Sequence, residues 1–223
     1  SKRIDRFAQM ALAASVCAVE DSGIDFSTLD LDRCGSIIGS GIGGLGEIER
    51  EHLKLMEKGP RRVSPFCVPK LMANAANANV AIRFGLRGAN QAVITACAAA
   101  THAIGDSLRQ IQYGYEDVII AGGAEAAVTN LGLASFCALK ALSTRNDEPQ
   151  RASRPFDADR GGFVLAEGAG IVILEEYEHA KRRGAKIYAE LLGFGMSCDA
   201  NHITAPCEDG SGAARCISGA IRD

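Results

Sequence analysis

Among the side chains able to do covalent chemistry, Cys97 has the most telling neighbourhood. It lies within Asn90 to Gly114, NQAVITACAAATHAIGDSLRQIQYG. Gln91 to Thr95 is short, apolar and rich in β-formers, the pattern of a covered strand. From Ala98 onward Ile104, Leu108 and Ile111 recur at helical spacing, over small residues that permit close packing. The pattern predicts a strand, a sharp turn and a helix, with Cys97 at the junction. At a helix N-terminus the free N–H groups and the macrodipole favour thiolate over thiol. Two readings stay open at this point. One is a nucleophile on an elbow; the other is a small buried cysteine, since free Cys is among the most buried residue types.

A thiol catalyst needs a proton acceptor and donors for an oxyanion, and the chain has only four histidines. His102 follows Cys97 by five residues on the same helix, which turns it about 140° away; a packed or interface side chain is expected there. His52 and His179 fall on charged helices. His202 alone is on a loop, in SCDANHITAP, close to Thr204. The residues thus offer a nucleophile without a partner base. A glycine-rich loop, SGIGGLG at Ser40 to Gly46, follows an apparent strand. It has neither the GxxxxGK[ST] nor the GxGxxG spacing, so it is expected to line a pocket or pass close to another backbone rather than cradle a phosphate.

Those groups must be held by a frame. The 223 residues, 47% hydrophobic, suffice for a substantial core, and no linker-like shift in composition divides 1–223, which reads as one unit. A formal net charge of −3 argues against non-specific nucleic-acid binding. No apolar run reaches membrane-spanning length, and SKRIDRF does not read as a signal peptide. Eight cysteines without a CxxC pair do not make a zinc site and suggest ordinary packing in a reducing compartment. Helices are expected over 4–22, 47–59, 74–84, 98–113, 176–184 and 212–223. Strands are expected over 33–40, 91–95, 117–121 and 186–196, with two more around EGAG between Phe163 and Glu176. Three prolines and the pair Arg61 and Arg62 make PRRVSPFCVPK an exposed excursion. The order is that of a layered α/β sandwich with a mixed sheet.

Several long motifs carry a family resemblance. ITACAAATHAIGDSLRQIQYG followed by DVIIAGGAEAAV resembles the nucleophile elbow of the β-ketoacyl-acyl-carrier-protein synthases. ALSTRNDEPQRASRPFDADRGGFVLAEGAGIVILEEYEHAKRRG, IGSGIGGLG and CDANHITAP are similar to the same family, nearest to its type II fatty-acid elongating members, over essentially the whole chain. The resemblance implies a thiolase-like layered αβαβα fold of two similar halves, of which this chain would hold the first and the start of the second. It implies a homodimer in the cytoplasm or an organelle matrix or stroma, and a decarboxylating Claisen condensation. Cys97 would carry the acyl chain as a thioester and its N–H would supply an oxyanion donor. No cofactor or metal is implied beyond substrates borne on the phosphopantetheine of acyl carrier protein. A ketosynthase unit of a polyketide pathway is the alternative within the superfamily. A non-catalytic module that binds carrier protein or dimerises is the alternative outside it.

Other roles follow from the resemblance one position at a time. Ile42 and Phe136 match residues that gate or line the acyl pocket. Thr204 matches one that hydrogen-bonds the pantetheine arm, with His202 beside it. Lys2, Arg3, Arg61, Arg62 and Lys140 match a basic patch for the acidic carrier protein. Cys67 stands where the family has an aromatic residue, which implies a roomier pocket. Ala98 to Ala100 replaces a more polar trio and is expected to matter little. Family members are longer, and neither their HGT-type motif nor their later Lys–His segment is found here. The chain alone is therefore expected to be an incomplete enzyme, with an apolar seam prone to association.

Overall fold

The computed structural model describes residues 3–223. Four strands form one sheet in the order β2-β1-β3-β4: β1 is Cys34–Gly39, β2 Asn90–Val93, β3 Val118–Glu125 and β4 Gly168–Glu175. β1 runs parallel to β2 and β3, whereas β4 is antiparallel to β3. Eight α-helices accompany them: α1 Arg6–Ser22, α2 Leu45–Lys58, α3 Cys67–Leu71, α4 Ala75–Phe84, α5 Ala99–Gln112, α6 Asn130–Ala138, α7 Tyr177–Arg182 and α8 Ser211–Arg222.

The two-residue period of the strands sorts their side chains into two cores. Cys34, Ile38, Val118 and Ile120 point to one face, where Phe7, Ala8 and Ala11 of α1 and Ala76 and Val80 of α4 cover them. Ile37, Ile119 and Ala121 point to the other, packed with Val93 and with Ala103 of α5. Helices on both faces of a mostly parallel centre explain why β1 is buried at all six residues. α1 is started by Asp5, whose carboxylate accepts the Phe7 N–H, and is stopped by Gly23 in the left-handed conformation (φ 62°).

The layered α/β architecture is as the pattern predicted, but β3, expected over 117–121, runs on through Gly122 and Gly123 to Glu125, and there are three other local differences. β2 is an edge strand whose first two residues, Asn90 and Gln91, are exposed, so it is not covered as its apolar sequence suggested. Between Phe163 and Glu176 there is one strand, β4. Its partner before EGAG is reduced to a single bridge, Leu142 to Phe163. The third difference is 186–196, which is extended without pairing to any described strand. It leans instead on α8: the Phe194 N–H donates to the Asp223 carboxylate (2.8 Å) and the Gly195 carbonyl accepts from Cys216 (3.1 Å). β-rich residues make a strand only where an edge is offered to them.

Candidate active site

β2 ends at Val93, and the chain leaves the sheet through Ile94 and Thr95 into a 3-10 turn, Ala96–Ala98, before α5 begins. Ala96 has φ +50°, a conformation unusual for a residue with a side chain and one that collects at functional turns. The turn is closed by the Ala98 N–H donating to the Thr95 carbonyl (3.1 Å). Cys97, at its middle, is exposed. Cys97 is therefore not a small buried packing residue among the described residues.

Small residues bring the elbow close to the sheet. A Cβ built on Gly39 would meet the backbone carbonyl of Ala99 at 2.4 Å, and one on Gly123 would meet Ala100 Cβ at 2.6 Å. The alanines after Cys97 are therefore contact residues that let the first turn of α5 sit on the ends of β1 and β3.

His102 does not face the thiol. Its Nδ1 lies 2.7 Å from Thr95 Oγ1 and its ring meets Phe194 edge-on, with centroids 6.0 Å apart, so it is packed as the helical spacing predicted. His52 is exposed, and His179 is paired with Glu175 at 2.5 Å. His202 is exposed, and its Nδ1 accepts from the N–H groups of Thr204 and Ala205, each at 3.1 Å. The imidazole thereby shapes its own loop, with Thr204 beside it but no tie to Cys97 among the described residues.

The glycine-rich loop is joined to the site by a residue the motif reading passed over. Glu125, the last residue of β3, accepts from the Gly41 N–H (2.6 Å), the Ile42 N–H (3.2 Å) and Ser40 Oγ (3.3 Å). A carboxylate two residues after the paired glycines of a buried strand, AGGAE, was the available signal. Ile42 is left 43% exposed on the loop surface. Phe136 of α6 is half-buried against Phe163, their rings edge-on with centroids 5.2 Å apart; Phe163 too had been read only as strand. Cys67 is half-buried at the start of α3.

Of the basic positions, Lys2 lies outside the described residues. Arg3 stands over the Phe66 ring, 5.4 Å from its centroid, and so joins the excursion whose 3-10 turn carries the exposed Arg61 and Arg62. Lys140 is exposed just beyond α6, with φ +54°. Two clefts of about 420 and 400 Å³ lie away from Cys97. One is lined by Arg6, Arg50, Lys70 and Glu167 and the other by Arg145, Glu148, Arg154 and Asp159. Their charges are internally paired, Arg6 with Glu167 and Arg145 with Glu148 among them.

The site thus joins an exposed cysteine on a strained strand-to-helix turn to a glycine loop pinned by a carboxylate. The chain also matches the model of the β-ketoacyl synthase N-terminal domain over residues 1–180. The chain belongs to the β-ketoacyl synthase family. Among its relatives, a 3-oxoacyl-[acyl-carrier-protein] synthase 2 of Vibrio cholerae is 57% identical over 223 residues, all of this chain and 54% of that protein. A mitochondrial 3-oxoacyl-[acyl-carrier-protein] synthase of Arabidopsis thaliana is 50% identical over 93% of this chain and 46% of its own length. Among solved structures, a type II PKS ketosynthase in complex with its acyl-carrier protein superposes with a TM-score of 0.95 at 36% identity, covering 99% of this chain and 56% of that one. The fold is thus that of the ketosynthases. The chain spans about half the length of the curated relatives it matches. No helix among the described residues is long and apolar enough to cross a membrane.

Proposed function

We propose that the β-ketoacyl synthase containing this chain lengthens acyl groups by decarboxylating Claisen condensation, with Cys97 as the acyl acceptor. In the first half-reaction the Cys97 sulfur attacks the carbonyl of an acyl thioester. A new C–S bond forms, and the carrier thiol leaves. In the second, a malonyl thioester loses carbon dioxide and its carbanion attacks the Cys97 thioester, releasing the thiol and a 3-oxoacyl product. The observation that carries this reading is the exposure of Cys97 on its strained elbow, in a chain so close in sequence to 3-oxoacyl-[acyl-carrier-protein] synthases 2.

The roles of the surrounding residues belong to the same proposal. Ile42 and Phe136 line the acyl site, and Thr204, with His202 shaping its loop, binds the pantetheine arm. Arg3, Arg61, Arg62 and Lys140, together with Lys2, receive an acidic acyl carrier protein. A family neighbour solved in complex with its acyl-carrier protein supports that partner. His102, His179 and His202 make hydrogen bonds to groups other than Cys97 and His52 is exposed on α2, so the family's two decarboxylating histidines are assigned to the other part of the relatives' length. A homodimer in a reducing, aqueous compartment completes the reading, with no cofactor or metal beyond the carried substrates. Fatty-acid elongation is favoured over a polyketide pathway because the fatty-acid relatives are the more similar, 57% identical against 36% for the polyketide ketosynthase. The exposed nucleophile speaks against a purely binding module.

Intact-mass measurement of the parent protein after incubation with cerulenin, a thiol-directed inhibitor of such synthases, tests the site. One adduct, mapping to Cys97 and lost in Cys97→Ala, is expected. An adduct spread over the other exposed cysteines, with Cys97 unmodified, would overturn the assignment.

A further inference from the structure

Glu125 ties the glycine-rich loop to the end of β3. Its Oε2 takes two consecutive backbone N–H groups, Gly41 (2.6 Å) and Ile42 (3.2 Å), and its Oε1 takes the Ser40 hydroxyl (3.3 Å). Ser40 Oγ in turn accepts the Gly43 N–H at 3.0 Å. Four successive residues of a loop are therefore organised by one carboxylate. Two of those residues are glycines, Gly43 with φ +78°, so the segment has little stiffness of its own. Nor is the anchor free to wander, since Glu125 is the terminal residue of β3 and pairs with Gly168 of β4. The pinned loop also touches the elbow. A Cβ built on Gly41 would lie 2.7 Å from Glu125 Oε2 and 3.8 Å from the Cα of Ala96, the residue before Cys97. Ile42, apolar and 43% exposed, is thereby fixed on a loop whose preceding residue, Gly41, approaches the elbow that carries the exposed Cys97.

We infer that Glu125 is a positioning residue for chain-length selection: it sets where Ile42 stands at the mouth of the acyl site, and so which acyl groups can be loaded on Cys97. The inference rests on the reading of Cys97 as acyl acceptor. The acid suits the task because a carboxylate only accepts, and all its neighbours here donate. A glutamine of the same shape can still offer its oxygen to the Gly41 and Ile42 N–H groups and its amide to Ser40 Oγ. Alanine offers nothing, and the glycine loop then samples positions in which Ile42 no longer narrows the mouth.

The test is single-turnover acylation of Cys97 in the parent protein, followed by intact mass, with hexanoyl and hexadecanoyl thioesters of acyl carrier protein. In Glu125→Ala the hexadecanoyl-to-hexanoyl ratio of rates should rise about tenfold. In Glu125→Gln it should return to within about threefold of wild type. Ile42→Ala should raise the ratio similarly, and Glu125→Ala added to Ile42→Ala should raise it no further, because the two act through one side chain. Should Glu125→Ala not fold, Ser40→Ala carries the test: it removes one donor and the Gly43 acceptor and should move the ratio in the same direction. A ratio unchanged in Glu125→Ala, or in Ser40→Ala where that variant must serve, overturns the inference, as does equal slowing of both substrates. Absence of any Cys97 acylation in the wild type overturns the functional reading itself, which separates the two failures.

Discussion

The two ends of the parallel strands are built from similar residues and do opposite things. At the C-terminal ends stand Ser40, the elbow with Cys97, and Glu125; at the N-terminal ends stand Cys34, Glu116 and Asp117. The C-terminal end is open and held under strain: Ala96 has φ +50°, glycines let backbones touch, and Cys97 is exposed. The N-terminal end is closed. Arg33 grips Asp117 with two hydrogen bonds of 2.6 and 2.5 Å and holds its carboxyl below the usual range. Glu116 is buried with one oxygen on the Ala89 N–H (2.6 Å), and burial pushes its pKa up. Open α/β sheets present their chemistry beyond the carboxyl ends of the strands. The comparison shows what that costs this chain: small residues and a strained turn at one end, offset by dense pairing at the other.

The sharpest contrast is between two cysteines. Cys34 is 1% exposed, its Sγ donates to the Asp30 carbonyl (3.3 Å), and burial with the nearby Glu116 carboxylate pushes its pKa up to about 12. At pH 8 about one Cys34 in 10⁴ is ionised, before any allowance for its lack of access. Alkylation of the native protein, read by peptide mapping at pH 8, should modify Cys97 at least about a hundredfold faster than Cys34. Comparable rates at the two sites would erase the distinction between the ends of the sheet.

The next largest effect should come from filling the close approach at the open end. Gly39→Ala places a methyl 2.4 Å from the backbone carbonyl of Ala99, where no side chain can swing aside. The first turn of α5 must lift, at a cost of about 3 kcal/mol, and Cys97 moves with it. A denaturant midpoint equal to wild type, with cerulenin labelling of Cys97 intact, would show that the elbow does not depend on this contact.

The same contrast decides what could be read from the sequence. The central strands and the helices over them were legible because apolar runs report burial on both faces, as in CGSIIG and DVIIA, although the continuation of the latter through Gly122 and Gly123 to Glu125 was not. Cys97 was legible as a junction because the period changes from two to 3.6 around it. Its exposure was not, since free cysteine is as much at home in a core as on an elbow. The 186–196 segment misled for a related reason: its residues have the pattern of a strand, but pairing depends on a neighbour that local pattern cannot specify. Glu125 was missed because its partners, Ser40 to Ile42, are more than eighty positions earlier. The resemblance assigned Ile42 to the acyl site without indicating what holds it there.

The closed end can be weakened without touching the site. Glu175 finishes β4 opposite Val118, at the same end of the sheet as Cys34, with its side chain only 7% exposed. Burial opposes its charge, yet Arg183, through two hydrogen bonds of 2.8 and 2.7 Å, and His179, at 2.5 Å, more than offset that and hold the carboxyl below its ordinary value of 4.5. Arg183 also donates to the Ser22 carbonyl at 3.0 Å, tying the end of α1 to this edge. Arg183→Ala should therefore cost about 2 kcal/mol near pH 7, less than a fully orphaned buried charge because His179 remains. A carboxyl whose folded pKa is depressed contributes its stability above the unfolded value and loses it as pH falls through the folded value. The gap between wild type and Arg183→Ala should thus be full at pH 6 and close as the pH drops below about 4. Urea midpoints at the two pH values would measure it, with Cys97 labelling unchanged at pH 7. A gap that persisted at low pH would mean that Arg183 acts through packing and the Ser22 carbonyl rather than through the charge of Glu175.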